Sequence, residues 1–165
     1  MSVPDQPRAE HLVQLLGLAP HPEGGWYREL FRSADRVSRA DGASRDALTT
    51  IYFLVATGTH SRWHRVEADE VWHHYEGAPL ELLCIDPALE SLRVIALGPV
   101  DERGARPVHT VPAGWWQAAR TTGRYTLVGC TVGPGFDFAD FALLDDRPGD
   151  AAVLRERFAE VRALG

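Results

Sequence analysis

Histidine and carboxylate side chains are concentrated in one short segment of the chain, THSRWHRVEADEVWHHYEG, at residues 59–77. The segment contains four histidines and four carboxylates: His60, His64, His73, His74, Glu67, Asp69, Glu70 and Glu76. Both residue types are usual ligands of zinc, iron and manganese, and both serve enzymes as general acids and bases. The segment is therefore compatible with a metal site, a metal-free catalytic pocket or a polar hairpin.

A hairpin is the simplest arrangement of this segment. RWHRV and EVWHHYE have strand-like patterns, and EAD lies between them as a turn. In a hairpin that is symmetric about Glu67, His64 lies directly opposite Glu70, with Cβ atoms roughly 4.5–5.5 Å apart. Because a pair at that distance can share a proton, we predict His64 and Glu70 as an acid–base pair. The alternative is a polar pair that only stabilises the hairpin.

Strand alternation places Trp72 and His74 on the same face as Glu70. Trp72 is predicted as a core residue that can also stack on a flat or sugar-like ligand. His74 is predicted as a pocket residue, but it lies about 13 Å along the strand from Glu70 and cannot bind the same ion. Ser61 is predicted as a polar pocket contact, because no nucleophile elbow surrounds it.

Composition limits the kinds of partner that the protein can bind and its expected location in the cell. The 165 residues are 45% hydrophobic, which is enough for one domain with a sizeable core. The net charge of -6, with no basic run, argues against a nucleic-acid partner. No apolar run approaches the roughly 20 residues needed to span a bilayer, so we expect no membrane partner and a cytoplasmic location. Cys84 and Cys130 lie in apolar runs and are predicted as buried free thiols, with a disulfide as the alternative.

Helical spacing occurs only near the two ends of the chain. AEHLVQLLGL predicts a helix at about 8–17, and RPGDAAVLRERFAEVRALG predicts one at about 148–164. From about 21 to 144, short strand-like segments alternate with turns, which is typical of a β-sandwich or barrel. These segments are WYRELFR, ALTTIYFLV, LELLCID, SLRVIALG, PVHTV, WWQAA and YTLVGCTV. Residues 32–46 are predicted as a loop or mobile flap, and HPEGG (21–25) as a tight turn.

Two segments resemble the motifs of a known family. GTHSRWHRVEADEVWHHYEG resembles the first cupin motif, Gly-x5-His-x-His followed after three or four residues by Glu-x6-Gly, with His64, Val66 and Glu70 at its ligand positions. PAGWWQ resembles the second motif, Pro-x-Gly-x2-His, with Gln117 in place of the histidine. HPEGGWYRE, VPAGWWQAA and VGPGFDFADFALL are similar to the cupin-5 family of small RmlC-like cupins, whose activity is poorly defined. The resemblance covers about 11–144.

The resemblance implies the fold and the assembly. It implies an all-β, single-domain cupin double-stranded β-helix, which is a jelly-roll barrel, with short terminal α-helices and with residues 1–165 in one domain. It also implies a homodimer. The apolar strand ALTTIYFLV agrees with a dimer, because one barrel interior cannot cover both of its faces.

Two departures from the cupin motifs remove expected metal ligands. Metal cupins use two histidines and a glutamate from the first motif and a third histidine from the second. Here Val66 and Gln117 replace two of those histidines, and Gln117 offers only a neutral carbonyl oxygen. We therefore predict no cofactor and no tightly bound metal. A weakly held ion, if any, would use His64, Glu70 and Gln117.

Three functions are compatible with this pocket. The first is a small-molecule-binding cupin that acts as a metal-independent isomerase, epimerase or lyase, with His64 and Glu70 as its catalytic residues. The residues that would shape its ligand site are Ser61, Trp72, His74 and Gln117. The second is a non-catalytic module that binds or senses a metabolite. The third is a metal-dependent oxygenase.

Overall fold

A computed structural model of the chain describes residues 7–164, a range that contains three α-helices, thirteen strands and two short 3-10 turns. The helices are α1 (Arg8–Leu16), α2 (Pro148–Arg157) and α3 (Ala159–Ala163). The strands are β1 (Ala19–Pro20), β2 (Trp26–Arg32), β3 (Arg36–Ser38), β4 (Ser44–Asp46), β5 (Thr49–Ala56), β6 (Ser61–Val66), β7 (Asp69–Gly77), β8 (Leu80–Ile85), β9 (Leu92–Leu97), β10 (Val108–Val111), β11 (Trp116–Thr121), β12 (Tyr125–Gly133) and β13 (Phe141–Leu143). The 3-10 turns are Phe138–Asp140 and Leu144–Asp146. Residues 1–6 and 165, which the predicted domain includes, lie outside the described part.

Two antiparallel sheets form the walls of the barrel. One has six strands in the order β1-β2-β5-β12-β7-β10, and the other has five in the order β13-β6-β11-β8-β9. Helix α1 packs on the outer side of the six-stranded sheet through Leu12, against Leu54 and Leu127. Helices α2 and α3 cover the five-stranded sheet, where Leu154 and Val161 join one apolar cluster. The predicted all-β barrel with short terminal helices is confirmed.

The predicted hairpin of residues 62–76 is wrong, because its two strands belong to different sheets. In β6, His64 is paired with Gln117 of β11. In β7, Glu70 is paired with Val132 of β12. The two residues between β6 and β7 cross from one wall to the other. A corner crossing and a hairpin turn have the same local pattern, so only the long-range strand partners distinguish them.

Two further segments differ from their predictions. Residues 32–46, predicted as a loop or flap, contain the two-stranded hairpin β3–β4. Its Arg45 forms a bidentate ion pair with Asp140, with both N–O distances at 2.7 Å. The predicted C-terminal helix is split at Phe158, which is extended with φ -124° and ψ 119°.

The cysteine and membrane predictions can be compared with the described residues. Cys84 and Cys130 are both free and buried, as predicted. No helix within residues 7–164 is long and apolar enough to cross a membrane. The homodimer stays a prediction. Exposed Tyr75 and Val108, both on strands of the six-stranded sheet, are side chains that a second copy could cover.

Candidate functional site

A cavity of about 370 Å³ opens into the barrel between its two walls. That volume lies within the range of roughly 300–1,000 Å³ that is usual for small-molecule sites. Its polar lining residues are His21, Glu23, Glu29, Arg32, Thr49, His64, Glu70 and Asp137. The remaining lining is apolar or aromatic: Tyr27, Ile51, Phe53, Val66, Cys130, Val132, Phe136 and Phe138.

A β-bulge in β6 turns two polar side chains to the same side of the strand. Gln117 of β11 pairs with His64, but Ala119 pairs with Ser61, so β6 has one extra residue between these pairs. Regular alternation would place Ser61 and His64 on opposite faces, because they are three residues apart. The bulge directs both toward the barrel interior, and both are almost completely buried.

The HPEGG turn lies against the start of β6 and places Glu23 inside the barrel. The backbone N–H of Arg62 donates to the carbonyl oxygen of Glu23 at 2.7 Å. Gly24 has φ +107°, and a Cβ at this position would be 2.2 Å from the carbonyl oxygen of His60. Glycine therefore permits both the backbone conformation and the close approach. The HPEGG pattern predicted only a turn, so the positions of Glu23 and His21 in the site were missed.

Glu23, His64 and Ser61 form one hydrogen-bonded group. The hydroxyl of Ser61 donates to Oε1 of Glu23 at 2.8 Å. The other carboxyl oxygen, Oε2, is 3.1 Å from Nε2 of His64. On the far side of the ring, Nδ1–H of His64 donates to the carbonyl oxygen of Arg62 at 2.7 Å. The ring also stacks on Phe141, with centroids 5.7 Å apart and planes at 27°.

Burial changes the proton affinities of the Glu23–His64 pair in opposite directions. Loss of solvent raises the pKa of Glu23, although His21 and the Ser61 hydroxyl act against this rise. Loss of solvent lowers the pKa of His64, which the negative charge of Glu70 opposes. Both directions favour a proton on the carboxyl rather than on the ring. A proton shared by the pair therefore lies in the contact between Nε2 and Oε2 and rests on Oε2.

Glu70 reaches the cavity from the opposite wall and has its own support. Its Oε2 accepts a hydrogen bond from Nε2 of Gln117 at 2.5 Å. Oε1 of Gln117 in turn accepts from the indole N–H of Trp72 at 3.0 Å. Burial raises the pKa of Glu70 to about 7, opposed by the charge of His64. A carboxyl group in that range can act as either acid or base near neutral pH.

The predicted site residues fall into three groups. His64 and Glu70 line the cavity, but they are not a directly bonded pair, since His64 bonds to Glu23 and Glu70 to Gln117. Ser61, Gln117 and Trp72 lie behind the lining. Ser61 bonds to Glu23, Gln117 bonds to Glu70, and Trp72 fills the core. Trp72 packs edge-on against Phe53, at 6.0 Å between centroids, within the main apolar cluster.

His74 does not line the cavity, contrary to the prediction. Its Nε2 is 3.1 Å from the carbonyl oxygen of Gly77 and 3.3 Å from that of Ala78. The ring therefore stabilises the turn after β7. His74 is too far along β7 to reach the cavity, which lies at the Glu70 end of this strand.

Comparison with known proteins identifies the family. The family model Cupin_5, described as Cupin superfamily (DUF985), matches residues 10–144. The chain belongs to the Cupin_5 family. The match confirms the family resemblance, and the matched range contains all thirteen strands. A search of functionally curated proteins gave no match.

Solved structures support the same assignment. This Cupin_5 chain is 36% identical to a hypothetical protein from Leishmania major, with a TM-score of 0.79 over 90% of this chain and 97% of that one. It is 34% identical to a protein from Shewanella oneidensis, with a TM-score of 0.83 over 100% and 98% of the two chains. A cupin 2 conserved barrel domain protein from Rhodopseudomonas palustris is 18% identical, with a TM-score of 0.51 over 88% and 96%, and shares the fold.

The donor atoms of this Cupin_5 protein do not fit the metal centre of metal cupins. Val66 has no donor atom, and Gln117 directs its NH₂ group to Glu70 and its oxygen to Trp72. Both ring nitrogens of His64 are engaged by protein oxygens. Across residues 7–164, no three His, Cys, Asp or Glu side chains are arranged to hold an ion.

We predict that the purified protein contains far less than one equivalent of iron, manganese or zinc after dialysis. One imidazole and one carboxylate do not complete a coordination sphere, and losing further ligands lowers affinity strongly. Elemental analysis of protein prepared without a metal-affinity tag measures the content, with His64→Ala as the control. Near-stoichiometric metal that survives dialysis and disappears in His64→Ala would contradict the prediction.

Proposed function

We propose that this Cupin_5 protein is an enzyme of the isomerase, epimerase or lyase type that moves a proton on a small molecule held in the barrel cavity. The observation that supports this proposal is the placement of Glu23, His64 and Glu70 around one buried cavity, with Glu23 and His64 on one wall and Glu70 on the facing wall. Buried carboxyl groups with raised pKa values are suited to proton transfer near neutral pH. Clusters of this kind in a cleft are often functional.

Other catalytic classes receive less support from the same residues. Cys130 lines the cavity, but burial raises the pKa of its thiol well above the usual value, so little nucleophilic thiolate forms. Ser61 is fully buried and its hydroxyl donates a hydrogen bond to Glu23, while Nδ1 of His64, 3.5 Å away, carries the proton donated to Arg62 and cannot act as its base. Covalent catalysis by either residue is therefore disfavoured. The oxygenase alternative lacks a fitting set of metal ligands.

The charges of the lining favour a ligand without a negative charge. Arg32 lines the cavity, but its guanidinium donates to Glu29 at 2.6 Å and to Asp46 at 2.7 Å. Its charge is thus balanced before any ligand arrives. An anionic ligand beside Glu23 and Glu70 would hold both carboxyl groups in the protonated form, and a protonated carboxyl group cannot take up the substrate proton. We infer a neutral carbonyl compound with an exchangeable C–H as the substrate class.

Solvent deuterium exchange tests the proposal on many candidate substrates at once. A library of small neutral carbonyl metabolites is incubated in D₂O with the wild type or Glu70→Gln, and mass spectrometry detects incorporated deuterium. At least one compound is expected to gain deuterium with the wild type and to lose this gain with Glu70→Gln, because abstraction next to a carbonyl exchanges the proton with solvent.

The control for this experiment is Glu81→Gln, which removes a carboxylate that is paired with Arg120 and is not part of the cavity lining. It should leave the exchange unchanged. If a compound bound to the wild type in the cavity and no compound exchanged, the protein would be the non-catalytic binding module. Equal exchange with Glu70→Gln would remove Glu70 from the mechanism.

A further inference from the structure

We propose that the carboxyl group of Glu23, rather than the ring of His64, takes the substrate proton, while Glu70 acts as the second proton carrier. His64 and Ser61 are then positioning residues for Glu23. This inference rests on the proposed function and changes the assignment of its base. The inference depends on which lone pairs of the Glu23 and His64 side chains are free of hydrogen bonds.

His64 has no free nitrogen to offer a ligand. An imidazole has two ring nitrogens, and each makes one hydrogen bond in the ring plane. Nδ1–H donates to the Arg62 carbonyl at 2.7 Å, and Nε2 is 3.1 Å from Oε2 of Glu23. Phe141 stacks on the ring, and the side chain is only 2% exposed. A substrate C–H could reach Nε2 only after the bond to Glu23 had broken.

Glu23 has the free lone pairs that His64 lacks. A carboxylate has about four acceptor positions, two on each oxygen. Ser61 occupies one on Oε1 and His64 occupies one on Oε2, so one on each oxygen stays available. Glu23 lines the cavity, and its side chain is 9% exposed, more than that of His64. Its backbone is fixed by the hydrogen bond from Arg62 to its carbonyl oxygen.

The proton transfers balance with these two carboxyl groups. In the resting pair the shared proton is on Oε2 of Glu23, and its transfer to Nε2 of His64, 3.1 Å away, gives the reactive state in which Glu23 is a carboxylate. An oxygen of Glu23 takes the proton of the substrate C–H, and the electron pair of that bond moves toward the carbonyl oxygen. Glu70, as a carboxylic acid, gives its proton to that oxygen. The substrate becomes an enol, Glu23 is protonated, and Glu70 is left as the carboxylate.

The surroundings of Glu70 favour its role directly, whereas Glu23 reaches its reactive form by passing the shared proton to His64. Glu70 must be protonated at the start, and burial raises its pKa to about 7. The imidazolium of His64 stabilises Glu23 as a carboxylate in the reactive state. After the transfer, the negative charge has moved from Glu23 to Glu70, which keeps the hydrogen bond from Gln117. The summed charge of Glu23, His64 and Glu70 does not change during the step.

Glycidol, a small neutral epoxide, tests which group is free to react in the cavity. An oxygen of Glu23 attacks a ring carbon, the ring C–O bond breaks, and the released oxygen takes the proton of Glu70. Peptide mass spectrometry then locates the ester. We expect the label on Glu23 in the wild type, with a rate on the order of 100-fold lower in Glu70→Gln because the acid is missing. Glu23→Gln should lose the label at this position and gain none on His64.

Two results would overturn the assignment. Alkylation of the His64 ring would show that its Nε2 is free and nucleophilic. Absence of the label from Glu23, in protein whose exposed carboxylates react, would show that Glu23 does not meet a ligand. Either result leaves the deuterium exchange experiment unaffected, so failure of this assignment and failure of the proposed function can be distinguished.

The positioning role of His64 has a separate spectroscopic test. Nitrogen-15 NMR of the imidazole ring, recorded against pH, reports which nitrogens carry protons. We expect Nδ1 to stay protonated throughout, and the titration of Nε2 to move in Glu23→Gln, where the carboxylate is gone. Glu81→Gln should not move it. A His64 titration that is identical in the wild type and Glu23→Gln would contradict a shared proton.

Discussion

Gly24→Ala is expected to destabilise the protein by several kcal/mol, on the order of 4 or more, which is exceptional for one added methyl group. Gly24 has φ +107°, a conformation that L side chains rarely adopt. The new Cβ would also lie 2.2 Å from the carbonyl oxygen of His60 and 3.3 Å from its carbon, which are backbone atoms of the segment entering β6. Denaturant unfolding at neutral pH measures the loss of stability.

The matched control is Gly42→Ala. Gly42 has φ +84°, and a Cβ there meets nothing within 4 Å. Gly42→Ala therefore has only the free-energy cost of a positive φ at alanine, which is about 1–3 kcal/mol. The difference between the two variants isolates the close approach of the HPEGG turn to β6. Equal destabilisation by both substitutions would show that the turn can move away without loss, and that Gly24 does not hold Glu23 in place.

The barrel itself could be predicted from local patterns. Segments such as WYRELFR and YTLVGCTV coincide with β2 and β12, because alternation and β-branched residues mark half-buried strands. Alternation also placed Glu70 on the inner face of its strand. The pairing of β6 with β7 was predicted wrongly. Each strand instead pairs with partners that are distant in sequence, and no local pattern encodes those partners.

The candidate site was only partly predictable for the same reason. Ser61 was predicted as a polar pocket contact without support from strand alternation, and it shares the inner face with His64 only because a bulge interrupts the period of two. Gln117 was expected at the motif position of a metal-binding histidine, and the structure shows that it links Trp72 to Glu70. Its amide geometry depends on two side chains more than 40 residues away.

Glu23 illustrates what sequence patterns do not contain. A charged residue between a proline and two glycines is typical of an exposed turn. Here the turn packs against β6, so that the side chain is almost completely buried. The available signal was the density of glycines, since two adjacent glycines permit a close approach of backbone to a neighbouring strand. That signal predicts contact with another strand but not which side chain enters the barrel.

Glu70→Gln is expected to remove a pH dependence of stability worth about 3 kcal/mol between pH 5 and pH 8. Burial raises the pKa of Glu70 from 4.5 to about 7, so the folded protein keeps this proton over a range in which the unfolded chain loses it. The stability of the wild type therefore falls as pH rises from about 4.5 to 7, by roughly 1.4 kcal/mol per pH unit. Glutamine does not titrate, and its oxygen can still accept from Gln117.

The measurement is urea unfolding of the wild type, Glu70→Gln and Glu81→Gln at pH 5 and pH 8. The free energy of unfolding of Glu70→Gln minus that of the wild type should be larger at pH 8 than at pH 5. For Glu81→Gln this difference should be small at both pH values, because its partner Arg120 lies on the surface. Glu23 and His64 are present in all three proteins, so their titration largely cancels in the differences. If Glu70→Gln differed from the wild type by the same amount at both pH values, Glu70 would titrate as an ordinary carboxyl group. It would then be ionised at neutral pH and would have no proton to give to a substrate oxygen.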